Sequence, residues 1–144
     1  MTFAKMIKVR FAHCDPAGIV FYPRYFEMLN SVVEDWFAER LGASFASLHM
    51  DQNLGVPTVR LETEFTAPSR LGNMLKAELH VDRIGNSSCS LRVLFSCEDQ
   101  PRIAVSLVIV AMTLTDGKSL PWPQSLRTAL EFETESQSSA AHPD

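Results

Sequence analysis

The chain has 144 residues, 46% of them hydrophobic and 21% charged, with a net charge of −4. That length supports one buried core rather than two. The acidic balance disfavours nucleic acid as a partner, because counterion release needs a cationic footprint.

No stretch approaches the roughly 20 apolar residues of a membrane span, and the N-terminus carries no apolar run of signal-peptide length. A cytoplasmic protein with no membrane partner is expected. The three cysteines, Cys14, Cys89 and Cys97, form no CxxC pair, so neither a disulfide framework nor a zinc knuckle is indicated.

In chain order, alternation of Ile7, Val9 and Phe11 with Lys8 and Arg10 predicts a short strand running into the loop His13 to Gly18. From Tyr22 to Leu41, Tyr22, Phe26, Leu29, Val33, Phe37 and Leu41 recur at helical spacing. Pro23 suits the first turn, and Gly42 the position just past the end. A loop follows over 42–55.

Period-two alternation then places Val59, Leu61, Thr63 and Phe65 on one face of a strand. The pattern repeats in Leu75, Ala77, Leu79 and Val81 and again in Cys89, Leu91, Val93 and Phe95, the latter after the turn Gly85-Asn86-Ser87. The last run, Ile103 to Met112, is apolar on nearly both faces, as expected of a strand covered on both sides. These elements predict an α+β domain over 1–132, with an antiparallel sheet curled around the helix. Residues 133–144 lack apolar content and are expected to be a disordered tail.

Chemistry concentrates in His13-Cys14-Asp15-Pro16-Ala17-Gly18, an acid in a constrained loop just before a helix start. Free N–H groups at that start can hold a carbonyl oxygen that gains charge during acyl transfer. A carboxylate nearby can attack the carbonyl or take a proton from water. Taken alone, Asp before Pro and Gly reads first as ordinary turn chemistry. A Cys–His nucleophile is disfavoured because adjacent side chains in an extended segment diverge, which leaves His13 an orienting role toward Asp15 or its loop. Glu27 and Glu34 are rival acids on the polar side of the helix. His13, His49, His80 and His142 show no metal-ligand spacing, so no metal and no cofactor are expected.

The segment from Arg10 to Tyr25, RFAHCDPAGIVFYPRY, resembles the signature of the 4-hydroxybenzoyl-CoA thioesterases. The order of elements from about Met6 to Leu130 is similar to that family's hot-dog fold. The resemblance implies hydrolysis of an acyl-CoA or aroyl-CoA with Asp15 as the catalytic carboxylate and the Tyr22 backbone N–H polarising the thioester. It also implies a homodimer or homotetramer with active sites at the dimer interface.

Substrate-binding candidates are Gly18 in the loop, Asn30 on the helix, and Val56, Pro57 and Thr58 as acyl-pocket walls from the partner chain. Asn30 stands where the family's 4-hydroxybenzoyl-specific enzyme is acidic. Gly85-Asn86-Ser87-Ser88 replaces a basic stretch that grips the nucleotide phosphates, which leaves Ser87, Ser88, Arg70 and Arg83 as candidates there. Two alternatives remain: a non-catalytic acyl-CoA-binding module, and a dehydratase, for which His13 is the only suitably placed histidine.

Overall fold

The computed structural model describes residues 2–140, with side chains through Glu135. In chain order its elements are β1 (Phe3–Lys8), a 3-10 turn (Phe11–His13), α1 (Pro23–Arg40), α2 (Phe45–Asp51), β2 (Leu54–Gly55), β3 (Thr58–Phe65), β4 (Met74–Ile84), β5 (Ser88–Cys97), β6 (Gln100–Val110), β7 (Met112–Thr113) and α3 (Gln124–Ala140). The main sheet is antiparallel with order β1-β4-β5-β6-β3, and β2 pairs with β7 apart from it. One face of the sheet wraps α1, which is the hot-dog arrangement.

On β4 and β5 the alternation read from the sequence is the alternation of burial, whereas β3 is exposed along nearly its whole length, Val59, Leu61 and Phe65 included. Leu75, Ala77, Leu79 and Val81 on β4, Cys89, Leu91, Val93 and Phe95 on β5, and Ile103, Val105, Leu107 and Ile109 on β6 all point at the helix. Trp36 and Phe37 of α1 are fully buried against them; complete burial of a side chain such as Phe37 contributes about 2–3 kcal/mol.

Several expectations are corrected. The first strand lies earlier, at Phe3–Lys8, because its partner β4 begins at Met74, opposite Lys8. Val9 is buried beyond the strand's end, and Phe11 is 83% exposed on the turn. The helix stripe is rotated. Tyr25, Met28, Leu29, Val32, Val33, Trp36 and Phe37 face the core, whereas Tyr22 is exposed and Phe26 half-buried on the flank. The second face of β6 carries no covering layer among the described residues: Ala104, Val108 and Val110 are half-buried and Ser106 is exposed. The predicted 42–55 loop contains α2, capped by the Ser44 hydroxyl accepting from Ser47 N at 3.1 Å.

The expected tail is helical through Ala140, and residues 141–144 lie outside the described residues. α3 docks through Leu126, Leu130 and Glu133, and the Glu133 carboxylate accepts the Trp36 indole N–H at 2.8 Å with Arg40 at 3.4 Å. Its polar sequence concealed this, because one of its anchoring positions is an acid whose partners lie on α1. Glu133→Ala leaves a buried indole N–H unpaired and is predicted to cost about 1–3 kcal/mol. A urea midpoint unchanged from the native value would contradict this docking.

Candidate active site

The segment from His13 to Phe21 folds as a small hairpin closed by its own backbone. Phe21 N donates to His13 O, Asp15 N to Ile19 O and Gly18 N to Asp15 O, each at 2.9 Å. Gly18 adopts φ +78°, a conformation open to glycine at little cost. A second loop braces the first from outside: Val20 N donates to Ser69 O at 2.8 Å and Leu71 N to Gly18 O at 3.1 Å.

Asp15 is half-buried at the neck of this hairpin. Its Oδ1 accepts from Ala17 N at 2.9 Å and more weakly from Ile19 N at 3.5 Å, while Oδ2 accepts nothing among the described residues. One oxygen is thus pinned and the other available. His13 makes no hydrogen bond to this carboxylate among the described residues; it braces the turn leading into the loop. Its Nδ1 accepts from Arg10 N at 2.8 Å, closing the 3-10 turn, which puts the neutral ring's proton on Nε2.

Tyr22 occupies the N-cap of α1 in helical geometry (φ −52°, ψ −36°), with no side-chain cap. Pro23 has no N–H, Arg24 N donates to Phe21 O and Tyr25 N to Tyr22 O, and the Tyr22 N–H makes no hydrogen bond among the described residues. An open donor therefore stands at the positive end of an 18-residue helix.

Tyr22, Phe26 and Asn30 follow one flank of α1, and β3 runs along the same side. Between them lies a cavity of about 210 Å³ lined by Phe26, Asn30, Val33, Phe45, Val56, Pro57 and Thr58 among others. Asn30 and the Val56-Pro57-Thr58 segment, read from the sequence as belonging to opposite subunits, thus share a cavity within one chain. Phe45, from the unpredicted α2, supplies its aromatic wall.

Arg70 is exposed beside the Asp15 hairpin, its neighbour Ile19 forming a backbone bridge with it. Arg83, Ser87 and Ser88 lie at the opposite end of β4 and β5 and do not meet Asp15 within one chain. The carbonyl of Ser87 accepts from Ala111 N and that of Ser88 from the Trp122 indole, which makes their backbone part of the scaffold. Glu27 pairs with Arg24 at 3.1 Å on the surface, and Glu34 is exposed. Cys89 is buried; burial foremost, and then the negative charge of Asp82, push its thiol up to about 12, so it is no nucleophile near neutral pH. No group of three His, Cys, Asp or Glu that could hold a metal occurs among the described residues.

A buried polar cluster escaped the sequence reading. The Tyr25 hydroxyl donates to Ser69 Oγ at 2.6 Å, and Arg102 Nη1 donates to Ser69 Oγ, Pro68 O and Asn73 Oδ1 at 3.2, 3.0 and 2.8 Å. Burial raises the Tyr25 pKa against the opposing effects of Ser69 and Arg102, which keeps the hydroxyl a donor. The cluster fixes the loop on which the Asp15 hairpin rests.

Residues 9–130 match the model of the thioesterase-like superfamily. A 1,4-dihydroxy-2-naphthoyl-CoA hydrolase of Prochlorococcus marinus is 29% identical over 109 residues, covering 71% of this chain and 70% of that protein. Among solved structures, a thioesterase-superfamily protein of Jannaschia sp. superposes with a TM-score of 0.85 at 26% identity, covering 92% of each chain. A 1,4-dihydroxy-2-naphthoyl-CoA thioesterase of Synechocystis superposes with a TM-score of 0.82 at 23% identity, covering 90% of this chain and 96% of that one.

Proposed function

Since this chain belongs to the thioesterase-like superfamily, we propose that it hydrolyses an aroyl-CoA thioester, with Asp15 as nucleophile or general base and the Tyr22 N–H as the donor to the thioester oxygen. The observation that carries this reading is the pairing of a half-pinned carboxylate with an open helix-start donor in one braced hairpin. Ala17 fixes Asp15 through Oδ1, leaving Oδ2 free to act on the carbonyl carbon or on a water beside it. As charge moves to the carbonyl oxygen, the N–H and the helix dipole stabilise it. Thiolate is a good leaving group, so the step needs little acid assistance.

An aromatic acyl group suits the cavity between α1 and β3, where Phe26 and Phe45 offer ring faces and Asn30 and Thr58 offer hydrogen-bonding groups. The naphthoyl-CoA hydrolase relative favours the same class. Asn30, neutral where the resemblance points to an acid, favours a ring other than 4-hydroxybenzoyl.

The site is completed by a second chain. β3 is an edge strand, and its Val59, Leu61 and Phe65 are 60%, 43% and 52% exposed. Antiparallel pairing of β3 with its copy covers this face and carries the partner's Gly85 to Ser88 turn toward this chain's Asp15 end. Gly18, Arg70, Arg83, Ser87 and Ser88 are then the candidates around the coenzyme arm.

The test is release of free thiol from a panel of aroyl-CoA and short aliphatic acyl-CoA esters. Bicyclic and hydroxylated aroyl esters are expected to give the highest kcat/KM. A preference for short aliphatic esters would remove the aroyl assignment, and no turnover of any ester by a protein that binds them would favour the binding-module alternative.

A further inference from the structure

We infer that the pocket lined by Ala67, Pro68, Arg70, Asn73, Gln100 and Arg102 is a phosphate site; resting on the thioesterase reading, the phosphate is one carried by the coenzyme A moiety. The pocket is about 270 Å³ and no acidic side chain lines it.

Arg102 is the reason. Its side chain belongs to a residue only 8% exposed, yet Nη1 meets three neutral acceptors and Nε is buried with no partner. No carboxylate pairs with it among the described residues. A guanidinium cannot shed its proton, and neutral oxygens do not cancel its charge. The cation is therefore enclosed without a counter-charge, in the wall of a pocket that Arg70 also lines.

Asn73 holds both arginines without neutralising either, since its Oδ1 accepts from Arg102 Nη1 and from Arg70 N, each at 2.8 Å. Two arginines lining one polar recess supply the positive charge that a phosphate requires. The location fits a substrate arm: Arg70 bridges Ile19, and Leu71 N binds Gly18 O, so the recess adjoins the Asp15 hairpin.

The test is Asn73→Asp, a near-isosteric change that keeps both hydrogen bonds and supplies the missing negative charge. Thermal unfolding is followed with inorganic pyrophosphate against sodium chloride of equal ionic strength. Pyrophosphate is expected to raise the Tm of the native protein by several degrees beyond chloride. The Asn73→Asp protein is expected to unfold at an equal or higher temperature without the anion and to lose that response. A native Tm that moves no more than in chloride, or a variant that keeps the full response, overturns the site.

The second arm compares KM for an acyl-CoA and the matching acyl-pantetheine, which lacks the phosphates. Asn73→Asp is expected to raise the first about tenfold relative to the second, the effect of one lost charged hydrogen-bonding contact. An unchanged ratio beside an Asn73-dependent pyrophosphate response overturns the coenzyme as source and assigns the recess to a free phosphate compound. Turnover of neither ester beside the same response removes the thioesterase reading and leaves the phosphate site standing.

Discussion

Asp15→Asn is expected to lower kcat for thioester hydrolysis by on the order of a thousandfold while leaving the fold in place. The local hydrogen bonds explain why the two effects separate. Asparagine Oδ1 can accept from Ala17 N as the carboxylate does, so the hairpin keeps its brace. An amide is neither a nucleophile toward a thioester nor a base toward water, so the chemical step loses its reactive oxygen. Thiol release and circular dichroism on the same preparation distinguish this from unfolding. Turnover within tenfold of native would falsify the assignment to Asp15 and move attention to Glu34, since Glu27 is engaged by Arg24.

The second large effect is expected at the edge of the sheet. Val59→Lys places a charge on the open strand β3, where Val59 is 60% exposed in the single chain. Lysine on an edge strand opposes strand addition, so light scattering should show the mass falling to that of one chain. Turnover is expected to fall at least tenfold with it, because the proposed interface site needs both chains. A variant that stays oligomeric, or a monomer that keeps full activity, removes the two-chain site. Intact far-ultraviolet dichroism guards against a trivial loss of fold.

Legibility in the sequence followed the range of the interactions. The Asp15 hairpin closes on contacts within a few residues, so its loop chemistry shows directly in the order His13 to Gly18. The core faces of β4 and β5 were equally plain, because alternation is written one residue at a time. Arg102 was not. It closes what reads as an ordinary loop before the last strand, and its acceptors Pro68, Ser69 and Asn73 are spread through a distant loop. α3 failed for the same reason, with Glu133 taking its meaning from Trp36 and Arg40 far earlier in the chain. The helix stripe was offset because Tyr22 and Phe26, apolar enough to count as core, are left out of it: Tyr22 is exposed and Phe26 lines the cavity beside β3.

The order of the strands also governs how this molecule comes into being. β1 must wait for β4, about half the chain later, and α1 has its stripe uncovered until the strands that follow it have been made. β4–β5 and β5–β6 are neighbouring hairpins that can form early, whereas the β1–β4 and β3–β6 pairings join distant segments and slow folding. Trp36 is fully buried and its indole N–H is held by Glu133 of α3, so in a chain whose other tryptophan, Trp122, is replaced by Phe, its emission reports the docking of α3. A nascent chain stopped before β3 carries α1's apolar stripe without the strands that bury it, the kind of surface that chaperones bind.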